Sequence, residues 1–354
     1  MQTWKKILFV GTCGVLALVL LEGICRTEWS LRAEAPFLSP NLYFYYPELR
    51  AVLEAEEGGE GDLDVLLLGG SVLHEDWGTI PQTLQERLTL AARREVRVHN
   101  LARPGHTTLD SWYKYRRAAA RDFDLVLVYH GINELRLNNC PEDVFRPDYG
   151  HYSWYRVINR FERRPGWPDL ALLYALIYRG TRLHEKVIAP DAYISRDRPE
   201  DSMVRFGGEI KTVQAFQRNL TSLLDLARER KQPVILMTFC SYLPENYTLE
   251  RFQEGALDYC LHSCAVEIWG EREHVVKGLQ AHNRVIRNLE ERFSEGVRLV
   301  DQEERMPRGR DYFNDVCHLT QRGCDVFVEN IVRGIGDLLP PGGPAGGRGG
   351  EPAP

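Results

Sequence analysis

The stretch LLLGGSVLHE, residues 66–75, has a serine directly after an apolar run that ends in two glycines. A serine hydroxyl becomes a nucleophile when a neighbouring base removes its proton. Gly69-Gly70-Ser71 alone is not specific, because turns and phosphate-binding loops use the same residues. No Gly-Lys-Ser/Thr follows, which argues against a P-loop, and no Gly-x-Ser-x-Gly surrounds Ser71, which argues against a nucleophile elbow. Partner residues from elsewhere in the chain must therefore decide what Ser71 does.

Three later stretches carry candidate partners for this serine: NLARPGHT at 100–107, HGINEL at 130–135 and DVCHLT at 315–320. Each stretch alone is unspecific. Taken together with GGS, and in this order, they resemble the four motif blocks of the SGNH (GDSL-like) hydrolase superfamily. The resemblance covers residues 64–336, and it implies a flavodoxin-like sheet and a serine nucleophile that acts on an ester.

The resemblance also implies a role for each matching residue. Ser71 matches the nucleophile, His318 the general base, and Asp315 the carboxylate that orients this base. Gly105 and Asn133 match the oxyanion-hole donors, through a backbone N–H and a side-chain amide, with the Ser71 N–H as a third donor. No metal and no cofactor is needed for this chemistry.

Elementary chemistry supports the same roles for these residues. Histidine is the natural base near neutral pH, because its unperturbed pKa is about 6.5. A carboxylate fixes the tautomer of the histidine and stabilises the imidazolium that forms. Asp315 and His318 are three positions apart, so the carboxylate can reach the imidazole within one turn. Gly105 follows Pro104, which suits a fixed turn with close backbone approach.

Two positions depart from the common pattern of the superfamily. Gly70 stands where the best-known first block has aspartate, and Glu134 stands where aspartate is common after the asparagine. The aspartate of the first block is neither nucleophile nor base, so catalysis is not excluded. Glu134 is expected to change how the Asn133 loop is held.

The elements that must position these residues alternate between short apolar runs and helical patterns. The runs predict five strands, at 64–71, 96–102, 123–131, 233–239 and 297–301. Strands separated by helices indicate a parallel sheet covered on both faces. We expect an α/β fold, a three-layer α/β/α sandwich with a flavodoxin-like five-stranded parallel sheet. Ligands bind beyond the carboxyl ends of such strands, where Ser71, Gly105 and Asn133 lie.

Several aromatic residues and histidines lie near the same strand ends. Packing or pocket lining is the expected role of the histidines, which are His74, His99, His106 and His130. Trp77 and Trp269 are candidates to stack on a sugar, with a core or rim position as the alternative.

Two segments interrupt the alternating pattern, at about 136–205 and about 240–269. Both follow strand ends and are predicted to shape a substrate pocket, with peripheral packing as the alternative. The hydrolase domain is predicted at 63–339, preceded by a linker at 27–62. The Pro/Gly-rich stretch 340–354 is predicted to be a disordered tail.

The first 26 residues contain Lys5-Lys6 and the apolar run Ile7–Leu21, which is followed by Glu22. The run predicts a signal anchor or transmembrane segment, with a cleaved signal peptide or a buried helix as alternatives. Basic residues before the run favour an N-terminus inside and a domain outside, in the periplasm or at the cell surface.

Eight cysteines are present, and six follow the anchor: Cys140, Cys240, Cys260, Cys264, Cys317 and Cys324. In an oxidising compartment some would pair, and otherwise they are buried free thiols. CLHSC, residues 260–264, could supply metal ligands, but no second Cys/His cluster at zinc-finger spacing accompanies it.

Composition limits the class of function. The 354 residues are 44% hydrophobic and 27% charged, with a formal net charge of −6, which gives no electrostatic case for nucleic acid. The leading hypothesis is a hydrolase of carboxylic esters, with small acyl groups on a carbohydrate or lipid as substrate. The same site would serve an O-acyltransferase of envelope polysaccharide. A catalytically silent binding or assembly protein is the third hypothesis, against which the complete set of site residues argues.

Overall fold

The computed structural model describes residues 2–33, 35–38, 45–56, 59, 61–119, 121–162, 170–188 and 201–338. The chain divides into two compact units. One consists of Met1–Glu54 and Asp143–Asp197, and the other of Ala55–Glu142 and Arg198–Pro354. The predicted tail, 340–354, lies outside the described residues.

The larger unit is built around a parallel sheet in the order β2-β1-β3-β4-β5. Its strands are β1 Leu63–Gly69, β2 Val96–Asn100, β3 Leu125–Tyr129, β4 Val234–Met237 and β5 Val297–Val300. All five predicted strands are present, and each is shorter than its apolar run. β3 and β4 are buried along their whole length, as expected for strands covered on both faces.

Helices of this unit form two layers. Their bounds are α3 Ile80–Ala92, α4 Thr108–Ala118, α5 Asn133–Asn138, α8 Val213–Glu229, α9 Leu249–Gln253, α10 Arg272–Arg292, α11 Gln302–Arg305 and α12 Gln321–Ile335. α3 packs against α12, while α8 packs against α4 and α10. The predicted α/β class, with a five-stranded flavodoxin-like parallel sheet, is confirmed.

Side chains of β1 alternate between the two faces of the sheet. Val65 and Leu67 belong to the core cluster that contains Leu84 of α3 and Phe327 of α12, and all four are almost fully buried. These side chains bury one face of β1 against α3 and α12.

Strand register brings the carboxyl ends of the central strands to one edge. Gly69 at the end of β1 lies opposite Tyr129 at the end of β3, and Leu67 lies opposite Asn100 at the end of β2. The chain segments that follow these three strands therefore begin close together. They contain Ser71, Asn133 and the loop with Gly105.

The smaller unit contains α1 Gln2–Ala33, α2 Glu48–Leu53, α6 Ser153–Glu162 and α7 Ala171–Leu183. α1 includes a stretch, Thr3–Arg32, that is long and apolar enough to cross a membrane. Glu22, which interrupts the apolar run, accepts the backbone N–H groups of Ala171 and Leu172 at 2.9 and 2.7 Å. Arg26 donates to the same carboxylate at 2.6 Å. Glu22 thus caps the start of α7.

Helix α1 continues past the predicted end of the anchor to Ala33, and α2 lies within the stretch predicted as a linker. Most of the first predicted insertion, Asp143–Asp197, forms one compact unit with the N-terminal segment. The other domain boundaries stay predictions, as does a role of this insertion in shaping a pocket.

Candidate active site

Ser71, His318 and Asp315 form a continuous chain of hydrogen bonds. The Ser71 Oγ lies 2.8 Å from His318 Nε2, and His318 Nδ1 lies 2.9 Å from Asp315 Oδ2 and 3.0 Å from Oδ1. Ser71 begins a short 3₁₀ turn directly after β1, whereas His318 lies in the loop before α12. Asp315 is fully buried and His318 nearly so. The arrangement can pass a proton from the serine to the histidine.

Asp315 is held by backbone N–H groups from two segments. Cys317 and His318 donate to Oδ1 at 3.0 and 2.9 Å, and Cys264 donates to Oδ2 at 3.0 Å. The first two bonds close a tight turn, which explains how residues three positions apart face each other. The three hydrogen bonds hold the Asp315 carboxylate in place, so it can orient the imidazole of His318.

Trp77 stacks on the imidazole of His318, with ring centroids 3.9 Å apart and an interplanar angle of 20°. The indole thus restricts the rotation of the ring whose two nitrogens face Ser71 and Asp315. From the sequence, Trp77 was a candidate to stack on a sugar, with a core or rim position as the alternative, and its contact with His318 was not foreseen. A face-to-face contact of this kind also stabilises an imidazolium through the quadrupole of the indole.

The Asn133 side chain lies beside the serine. A Cβ built on Gly70, the residue before Ser71, would lie only 2.6 Å from Asn133 Nδ2. Nδ2 donates to the His106 carbonyl at 2.9 Å, and Oδ1 accepts from Trp269 Nε1 at 3.3 Å. These two bonds assign Nδ2 as the donor end of the amide, and the contact with Gly70 places this end beside the serine.

Gly105 lies in the loop between β2 and α4 with φ of +79°, a conformation that favours glycine. Its carbonyl accepts a hydrogen bond from Arg136 at 3.0 Å. The next residue, His106, provides the carbonyl to which Asn133 donates. The structure thus brings the loop of Gly105 against the first turn of α5. The direction of the Gly105 N–H toward an oxyanion stays a prediction.

Glu134, the departure from the motif, also contacts this loop. Its Oε1 accepts the Thr108 N–H at 2.6 Å, at the start of α4. Oε2 is buried and, among the residues that the structure describes, has no hydrogen-bond partner. Burial raises the pKa of this carboxyl to about 7, although the bond from Thr108 opposes the rise. Asn133, Glu134 and Arg136 therefore all attach α5 to the same loop.

Solved structures similar to this chain include a GDSL-like lipase from Bacteroides thetaiotaomicron, which is 14% identical and has a TM-score of 0.44. That comparison covers 84% of this chain and 99% of the lipase. A catalytic mutant of an acetylxylan esterase from Geobacillus stearothermophilus is 12% identical with a TM-score of 0.42, over 79% of this chain and 97% of the esterase. No protein-family model matches the sequence, and no curated protein sequence matches it either.

The four histidines predicted to lie near the strand ends form hydrogen bonds within the larger unit. Their partners are Asp64 for His99, Arg103 for His74, Lys114 for His106 and Ser111 for His130. His130 is almost fully buried, and its burial, with nearby Lys114, lowers its pKa to about 3. These contacts agree with the predicted packing role.

Sequence reasoning missed two features of the second predicted insertion, 240–269. Its Cys264 reaches Asp315, and its Trp269 is buried and orients Asn133. Trp269 thus has the core position that was the alternative to sugar stacking. Of the two alternatives for the cysteines, pairing or free thiols, the structure has free thiols at all eight positions, and Cys260 among them is exposed rather than buried.

Proposed function

We propose that this protein hydrolyses carboxylic esters through an acyl-serine intermediate on Ser71. The observation that carries the proposal is the unbroken chain from Ser71 Oγ through His318 to buried Asp315, at 2.8 and 2.9 Å. A hydroxyl, an imidazole and a carboxylate in this order can activate a serine near neutral pH.

In the first step, His318 Nε2 removes the Ser71 proton while Oγ attacks the ester carbonyl. The carbonyl oxygen becomes an oxyanion, and its negative charge must be stabilised by donors already in place. One Nδ2 hydrogen of Asn133 goes to the His106 carbonyl, so the other is available for this oxygen. The Ser71 and Gly105 N–H groups are the further proposed donors.

Collapse of the tetrahedral intermediate breaks the bond to the alcohol oxygen, and His318 returns its proton to that oxygen. The alcohol leaves, and the acyl group stays on Ser71. A water molecule then attacks the acyl-serine, again with His318 as base, and releases the acid. Asp315 keeps its charge throughout and stabilises the imidazolium in both steps.

The space next to Ser71 supports a small acyl group. A small cavity at this position is lined by Gly70, Ser71, Val72, Tyr129, His130, Gly131, Ile132, Asn133 and Phe239. The lining combines apolar residues with Asn133. We propose an acylated carbohydrate or lipid as substrate, with the protein anchored through α1 and its hydrolase domain on the extracytoplasmic side.

The test is a panel of esters with acyl chains of increasing length, together with acetylated glycans, assayed with the full-length protein in detergent. Short acyl esters should be hydrolysed, and Ser71→Ala should abolish the reaction. A serine-directed organophosphonate should label Ser71 in the wild type, as mapped on proteolytic peptides. Labelling elsewhere, or an unaffected Ser71→Ala variant, would exclude the assignment.

A sugar hydroxyl can take the place of water in the second step, which would make the protein an acyltransferase. Adding an acceptor glycan to the same assay distinguishes the two reactions. If free acid falls and acylated glycan appears in equal amount, transfer is the reaction. If the amount of free acid is unchanged, hydrolysis is the reaction. A lack of both reactions and of labelling would leave the silent binding protein as the better hypothesis.

A further inference from the structure

Cys264 places a thiol beside the residues proposed as base and orienting carboxylate. One ligand atom each from Cys264, Asp315 and His318 lie within 4.8 Å of one another. Cys264 is half-buried, and its backbone N–H donates to Asp315 Oδ2 at 3.0 Å. A sulfur, an imidazole nitrogen and a carboxylate oxygen therefore converge from two separate segments of the chain.

The chemistry of these donors selects a particular kind of cation. Sulfur and imidazole bind zinc and its softer analogue cadmium, whereas magnesium and calcium require oxygen ligands. A second sulfur, that of buried Cys317, lies 3.8 Å from His318 Nδ1 and adds to the soft character of the surroundings. The carboxylate of Asp315 supplies negative charge, and its fully buried position limits competition from water.

We propose that Cys264, His318 and Asp315 form an inhibitory site for Zn²⁺ or a similar thiophilic cation. His318 Nδ1, which now faces Asp315, would become a metal ligand, as would the Cys264 sulfur and one Asp315 oxygen. The proton on Nδ1 moves to Nε2, and the thiol proton is released to solvent. Net binding therefore exchanges one cation for one proton.

Inhibition follows from the tautomer that the metal imposes on His318. With the cation on Nδ1, Nε2 carries a hydrogen and can no longer accept the proton of Ser71. The base is lost although every catalytic side chain is still present. This consequence rests on the proposed function, whereas metal binding itself does not.

The test measures Cd²⁺ and Zn²⁺ binding to the reduced full-length protein in detergent, with the ultraviolet thiolate-to-Cd²⁺ charge-transfer band as readout. Loss of an outer partner alone typically costs about 10- to 100-fold in metal affinity. Removing the thiolate ligand by Cys264→Ser should therefore weaken binding by at least about 100-fold. Cys260→Ser is the matched control, because Cys260 is an exposed thiol of the same segment, and it should bind as wild type does.

Ser71→Ala separates this proposal from the proposed function. The variant cannot form an acyl-enzyme but should bind Cd²⁺ as the wild type does. In the wild type, Zn²⁺ should inhibit ester hydrolysis, and a chelator should restore the rate. Equal Cd²⁺ affinity of wild type and Cys264→Ser would overturn the site, and binding at Cys264 without loss of the hydrolysis rate would overturn the inhibition.

Discussion

Gly70 lies between the two side chains on which the proposed chemistry depends. Ser71 follows it in the chain, and a Cβ at Gly70 would come within 2.6 Å of Asn133 Nδ2, a distance that real Cβ atoms do not adopt. The aspartate of the best-known SGNH first block is therefore incompatible with the present position of the amide. This contact gives a physical reason for the glycine in this chain.

Asn133→Ala tests the oxyanion hole directly. The amide should bind the charged oxygen more tightly than the neutral carbonyl, and such differential binding raises kcat. Loss of one donor typically costs about 10² to 10³ in kcat, or roughly 3–4 kcal/mol. Asn133→Ala should lower kcat by about that factor with KM nearly unchanged. Asn133→Asp should be at least as damaging, because it adds negative charge, and Ser71→Ala should be worse than Asn133→Ala. A raised KM with intact kcat would instead make Asn133 a substrate-positioning residue.

Gly70→Ala should lower kcat through the same amide. The new methyl group must displace Asn133 Nδ2, since the two cannot coexist at 2.6 Å. In an Asn133→Ala background the added Gly70→Ala should have little further effect, because residues in contact are not additive. Gly180→Ala is a control on a glycine with open space around it. Additive effects of the two substitutions would show that Gly70→Ala does not act through the Asn133 amide.

Helix α5 positions the loop between β2 and α4 that contains Gly105 and His106. Its first turn contributes Asn133, Glu134 and Arg136, which bond to His106, Thr108 and Gly105 respectively. Three side chains of one short helix therefore attach to a loop that follows a different strand. The loop is positioned by α5 as a unit, so a change in any of the three contacts should affect the others.

Arg136 is expected to act as a positioning residue. Arg136→Met removes the bond to the Gly105 carbonyl, and a displacement of about 1 Å can cost up to about 10²-fold in rate. We expect kcat to fall more than KM rises. Arg136→Lys should recover part of the loss, because an ammonium group can still donate to the carbonyl. Equal activity of the lysine and methionine variants would show that the hydrogen bond is unimportant.

Glu134→Gln should change the pH dependence of stability. The folded carboxyl has its pKa raised by burial from 4.5 to about 7, so the folded state binds the proton more tightly than the unfolded state does. The carboxyl therefore stabilises the fold most below pH 4.5, and this contribution is lost as pH rises to about 7. Glutamine keeps the acceptor for Thr108 and cannot ionise.

Thermal melts of both proteins at several pH values provide the measurement. The Tm of Glu134→Gln minus the Tm of the wild type should increase as pH rises from 4.5 to about 7. Above that range this difference should be constant. Buried His130 and His282, with pKa values lowered by burial to about 3 and 4, contribute the opposite slope. Their effect cancels in the difference. A Tm difference independent of pH would show that Glu134 does not titrate in this range.

At the scale of the whole molecule, α1 combines an apolar stretch of membrane-spanning length with a polar contact just after the apolar run, at Glu22. Glu22 accepts two N–H groups at the start of α7 and pairs with Arg26. The Glu22 carboxylate therefore has hydrogen-bond partners within the smaller unit. On this arrangement we propose an anchor that stays attached rather than a signal peptide that is removed.

The full-length protein should fractionate with membranes and resist extraction by high salt. Its hydrolase domain should be digested when protease is added to intact spheroplasts, because Lys5-Lys6 favour an N-terminus inside. A cytoplasmic marker protein, which must survive the same treatment, is the control. Protection of the domain until lysis would reverse the orientation, and recovery in the soluble fraction would argue for cleavage.

The sequence by itself determined the class of fold and indicated the candidate site residues. Strands buried on both faces must be apolar along their length, so β1, β3 and β4 are visible as apolar runs. Ser71 and Asn133 directly follow such runs, and Asp315 and His318 are close in the chain, so their neighbourhood could be predicted from local pattern and motif order.

Only the tertiary structure decided which residues surround this set. Trp77 against His318, Trp269 against Asn133 and Cys264 against Asp315 are contacts between residues far apart in the chain. Such contacts leave no periodic signal, because they depend on where loops return after strands rather than on the spacing within an element. For the same reason, the grouping of Asp143–Asp197 with the N-terminal segment required the folded chain.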